Sequence, residues 1–158
     1  MAFFRAVEFL ALSIWLGSDV FLSFVVAPGA FSVLAGRDQA GAIVGYSLTR
    51  MHWMGVICGV LLLLLRVART RNVASLAAPA ALCVLLMILL TVASQLAVSP
   101  KMAALRVQMG SIQASAADSP LLAEFSRLHR VSVALEIGVL FAGFAALYLL
   151  VRETPLNA

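Results

Sequence analysis

Four stretches of this chain, residues 3 to 27, 42 to 68, 74 to 98 and 131 to 151, are long and apolar enough to cross a bilayer. A hydrocarbon core about 30 Å thick takes roughly 20 residues of helix. Inside it every backbone polar group must be satisfied within the protein, which leaves helices or a closed barrel. The chain has no strand-length segments of alternating polarity, and that excludes the barrel. Composition agrees: hydrophobic residues are 63% of the 158 and charged residues 11%, with a mean hydropathy of +1.07, far from the balance of soluble domains. The apolar run after Arg5 has the position of a signal peptide. Glu8 and Asp19 interrupt it and no small-residue cleavage site follows, so it reads as the first membrane helix.

The links between these stretches, "LAGRDQAG" (34–41), "ARTRNVAS" (68–75) and "ASAADSP" (114–120), are short and polar, which forces antiparallel neighbours. The expected fold is an all-α membrane protein, an up-down-up-down four-helix bundle forming a single domain over residues 1–158. Its helices are expected at about 3–35, 38–69, 74–115 and 119–152. Gly36 suits a helix stop, Asp38 an N-cap, and Ser119 an N-cap ahead of Pro120. Residues 28–35, 38–51, 99–115 and 120–130 keep helical spacing while gaining polar side chains. All lie at one end, so the bundle is expected to project from the bilayer opposite the termini. Pro28 and Pro100 are placed to kink helices where they leave the membrane.

Basic residues divide almost evenly between the two ends. The tight cluster "RVARTR" (66–71) beside a short loop makes cytoplasmic termini the expected orientation. The net charge of +4 flanks membrane helices and suits anionic headgroups rather than nucleic acid. The lipid bilayer is the expected partner, with a homo-oligomer or a larger membrane complex as further ones.

Ionisable residues inside such helices are costly toward lipid and turn inward. In "EFSRLHRVSVALEIGVLF" (124–141), His129, Ser132 and Glu136 share one helix face. Glu8, Leu12, Trp15 and Asp19 form a stripe on helix 1, and Thr91, Gln95 and Ser99 another on helix 3. Helix 2 offers His52, with Gly45 and Gly59 seven residues to either side and Gly55 between. Counted back from the projecting tips, Asp19, His52, Ser99 and Glu136 lie at one level, about 14 to 16 residues down. A shared polar site inside the bundle, near the outer boundary, is the expected result.

The segments "WLGSDVFLSFVVAPGAF", "RDQAG", "MHWMG", "SPKMAALR" and "FSRLHRVSVAL" resemble the transmembrane protein 205-like family, bacterial domains of unknown function related to a eukaryotic membrane protein associated with cisplatin resistance. The resemblance covers nearly the whole chain. Its pattern falls on Trp15, Gly17, Pro28, Phe31, Gly41, His52, Pro100, Arg106, Phe125, His129 and Ser132. The "WLG" helix and four-helix plan also resemble, distantly, the copper-resistance D proteins and the haem-binding membrane protoporphyrinogen oxidases. This chain lacks the first-helix histidine of the oxidases.

Beside proton or solute passage, three uses of these residues follow from their chemistry. Asp19, His52, His129 and Glu136 offer the imidazole and carboxylate ligands that suit a copper or zinc ion. His129 and Glu136 lie about 10 Å apart along their helix, so both reach one ion only by leaning together. His52 and His129 could instead hold haem b between diagonal helices 2 and 4, with Arg50, Lys101 and Arg130 near the propionates. The third use is a hydrogen-bonded network that fixes register without chemistry, in an accessory subunit of a membrane complex. Gln95, Ser132 and the three basic residues are expected around the site in each case. No Ser-His-Asp order, phosphate loop, CxxC or HExxH is present, and a non-enzymatic role is expected. Cys58 and Cys83 read as small core residues without a disulfide. Met51, Met54, Met102 and Met109 read as packing rather than a soft-metal path.

Overall fold

The computed structural model describes residues 2–153. Among them no strand occurs, and four long helices run α1 (Ala2–Val33), α2 (Arg37–Thr70), α3 (Pro79–Met109) and α4 (Pro120–Arg152). Each has 31 to 34 residues and an apolar window suited to a membrane span. The chain is therefore a multi-pass integral membrane protein. At 1.5 Å per residue the helices are about 50 Å long, some 20 Å more than a hydrocarbon core needs.

α1 packs chiefly on α2 and α3 on α4, with lighter contacts from α2 to α3 and from α1 to α4. Two antiparallel hairpins thus close an up-down-up-down bundle. The apolar residues are partly inside out. Phe24, Leu89 and Phe141 are 69%, 66% and 73% exposed, whereas Glu8, Asp19 and His52 are at most 1% exposed. Lipid solvates the first group at no cost and would penalise the second. Small side chains let the helices approach: Gly143 on α4 leaves room for Leu16 and Met87, and Ala80, Ala81 and Ala146 line the core.

The helix ends differ from expectation in instructive ways. Gly36, in extended conformation, is itself the N-cap of α2. Asp38 sits in the first turn, its carboxylate accepting from the Ser111 hydroxyl and the Ile112 N–H. α2 ends on Arg71 in left-handed conformation, φ 52°. A short 3-10 helix, Val73–Ala77, then leads in, so α3 starts at Pro79 rather than 74. α3 also stops at Met109 rather than 115, because Gly110 turns at φ 68° and the following residues are held by Asp38. Ser119 occupies the N-cap ahead of Pro120, as its sequence suggests, without a side-chain cap bond.

Pro28 and Pro100 do not end their helices, which run on to Val33 and Met109. A π-turn precedes each, Leu22–Val26 in α1 and Ser94–Val98 in α3. A proline ring clashes with the carbonyl four residues back, here Phe24 and Leu96, and each falls inside its π-turn. The extra residue widens the helix where the clash would occur.

Candidate functional site

His52 joins three helices. Its Nδ1 lies 3.0 Å from Gln95 Oε1 on α3, and its Nε2 lies 3.2 Å from Glu136 Oε2 on α4. Asp19 of α1 is fully buried and faces Glu136, and neither Asp19 oxygen has a hydrogen-bond partner. Each helix therefore contributes one side chain to this cluster: Asp19, His52, Gln95 and Glu136.

The packing that sets this level is a tryptophan on two glycines. The Trp15 indole lies across Gly55 and Gly59 of α2; a Cβ on either would overlap the ring. Asp19 is one turn beyond Trp15 toward the projecting end, and His52 is one turn beyond Gly55 in the same direction because the helices are antiparallel. The wedge thereby brings the acid and the imidazole to one height. On α3, Gln95 lies within the π-turn, whose extra residue sets the direction of its side chain.

Among the described residues His52 is the basic side chain that meets the two carboxyls of this cluster. Among the described residues no arginine or lysine pairs with Asp19 or Glu136; the arginine ion pairs go to Glu8, Glu124 and Glu153. With the Gln95 carbonyl as acceptor, His52 Nδ1 carries the hydrogen and Nε2 is the nitrogen turned to the Glu136 carboxyl. The 3.2 Å contact between Nε2 and Glu136 Oε2 is a hydrogen bond through whichever of the two carries the proton. Three more polar atoms nearby in sequence lack partners: Trp15 Nε1, Thr91 Oγ and Ser94 Oγ. Beside His52 a cleft of about 10 Å³, lined by Trp53, Val56, Thr91 and Gln95, has room for one water-sized species.

Several candidate residues lie elsewhere. His129 and Arg130 are exposed and Ser132 is half-buried on α4; Arg50 and Lys101 are exposed, Arg50 lying 5.1 Å over the Tyr46 ring. His129 thus does not join His52 in the interior. A bound cofactor generally occupies several hundred Å³, so the packed interior beside His52 does not fit a porphyrin. Among the described residues no three His, Cys, Asp or Glu side chains converge closely enough to hold a metal ion as they stand.

Two polar clusters went unforeseen. Near the termini, Arg69 donates to both oxygens of buried Glu8 at 2.9 and 3.3 Å. Arg66 pairs with Glu153 at 2.9 Å and donates to the Ser75 carbonyl, while Arg5 donates to the Glu153 carbonyl. Arg66 and Arg69 are three apart on one helix face, the only local signal that they turn inward. At the projecting end the Arg106 guanidinium lies over the Phe125 ring at 5.3 Å and against Gly41. These three belong to the pattern of the family resemblance, but nothing in their spacing joins them.

Comparison with known proteins adds one match. The family described as a domain of unknown function (DUF4149) covers residues 10–111, a span that includes Trp15, Asp19, His52, Gln95 and Arg106. No curated protein and no solved structure matches the chain.

Proposed function

We propose, from the premise that the chain belongs to the family of domains of unknown function DUF4149, that this membrane protein binds a transition-metal ion inside its bundle. Asp19, His52 and Glu136 would be the ligands, and Gln95 would orient the imidazole. The observation that carries this reading is a buried imidazole held at Nδ1 by Gln95 and met at Nε2 by Glu136, with a second buried carboxyl, Asp19, facing Glu136. Metal-ligating histidines commonly donate their second N–H to an oxygen in this way. Two carboxylates also neutralise a divalent ion, which removes the cost of isolated charge in a low-dielectric interior. Imidazole with carboxylate suits zinc or copper better than calcium. Capture of the ion needs Asp19 and Glu136 to turn together toward Nε2, where the ion would replace the proton of the His52–Glu136 contact.

The resemblance to the transmembrane protein 205-like family and, distantly, to copper-resistance D proteins supports a metal-related role. Trp15 and His52 are shared between that pattern and this site. A bacterial inner-membrane location with cytoplasmic termini, and assembly into a homo-oligomer or larger complex, complete the proposal. The basic cluster at 66–71 supports the orientation.

The test is metal analysis and calorimetric titration of the detergent-purified protein with zinc and copper ions. One ion per chain is expected, with affinity falling at least tenfold in His52→Ala, Asp19→Asn and Glu136→Gln. A chain that takes up neither ion would overturn the metal reading. The cluster would then stand as the hydrogen-bonded, register-fixing network of an accessory subunit.

A further inference from the structure

Gln95 lies inside the π-turn Ser94–Val98, and that turn holds one residue more than an α-helix needs there. Such an extra residue migrates along a helix by exchange of backbone hydrogen bonds. Each residue it passes rotates by about 100°, the angle of one α-helical step. Toward the C-terminus migration is blocked: Pro100 has no N–H to exchange, and the widened turn is what accommodates its ring. Toward the N-terminus the path is open. The Ser94 N–H is shared between the Leu90 and Thr91 carbonyls, so the last α-helical bond before the turn is not committed to Leu90 alone. The buried Thr91 and Ser94 hydroxyls have no partners, so they are free to serve carbonyls released as bonds exchange.

We infer that this π-turn is a register switch for the His52 site. With the extra residue at 94–98, Gln95 holds His52 Nδ1 and the ring presents Nε2 to Glu136 and Asp19. When the extra residue moves one turn toward Leu90, Gln95 rotates away and the imidazole is released, so the site loosens. The inference deepens the ion-binding reading and rests on it, since it supplies the means by which a buried ion enters and leaves. The matching π-turn in α1, Leu22–Val26, directly follows the Asp19 turn and is pinned by Pro28 in the same way.

The chain has only two histidines, and one of them, His129, is exposed, so ring-nitrogen NMR of histidine-labelled protein in micelles resolves His52 against an internal reference. In the ion-free protein, His52 is expected to show microsecond-to-millisecond exchange between an Nδ1-bonded and a released ring, with His129 unaffected. Deleting Ala97 removes the extra residue; loss of the Nδ1-bonded signal and an ion affinity at least tenfold weaker are expected, matching Gln95→Ala. Pro100→Ala, which keeps the chain length, is expected to unpin the turn and shift His52 toward the released signal. A sharp, exchange-free His52 signal in the wild type, unchanged in Pro100→Ala, would overturn the switch even if an ion binds. Exchange that responds to these variants in a protein that binds no ion would instead overturn the ion reading and leave the switch as a property of the network.

Discussion

Glu8→Ala is expected to destabilise the bundle by about 3–5 kcal/mol, visible as a large fall in the thermal midpoint of helical circular dichroism in micelles. Glu8 is 1% exposed and is bonded by Arg69 through two nitrogens. Removing the acid strands a guanidinium that is itself largely buried, the costliest way to break such a pair. The double variant Glu8→Leu, Arg69→Leu removes both charges and is expected to recover most of the loss. A single-variant change under about 0.5 kcal/mol would show instead that water reaches the pair, since exposed ion pairs contribute little.

The second large effect is steric. Gly55→Leu is expected to cost about 3 kcal/mol, as overpacking does in a close-packed interior, because the new side chain occupies the place of the Trp15 indole. The displaced ring pulls α1 from α2, so the same variant is expected to abolish ion binding without touching a ligand. Combining it with Trp15→Ala opens space for the leucine, and the two changes are expected to be strongly non-additive. Additive losses measured in that cycle would show that Trp15 does not rest on Gly55.

The four spans were legible because lipid imposes a simple rule on length and polarity. Depth was legible in part: counting from the loops puts Asp19, His52, Ser99 and Glu136 at one height, and the structure gathers three of them, with Gln95 one turn from Ser99 as the α3 member. Gln95 was legible only as a neighbour, its engagement with His52 depending on a π-turn that no local pattern announces. His129 shares the Glu136 face on a helical wheel, yet two turns suffice to carry it from the interior to the surface of a bundle only four helices wide. The Glu8–Arg69 pair was hidden by ambiguity of another kind. Arginines at the end of a membrane helix look the same whether they meet headgroups or reach back to an acid 61 residues away. The end of α3 was misjudged because Met109 and Ile112 keep helical spacing through Gly110, where the chain in fact turns.

The indole seated on Gly55 and Gly59 has a mechanical consequence. It interlocks α1 and α2 as a key does a slot, so neither can twist about its own axis without driving a rigid bicyclic ring into the opposing backbone. That hairpin is a stiff frame that carries Asp19 and His52 at a fixed mutual height.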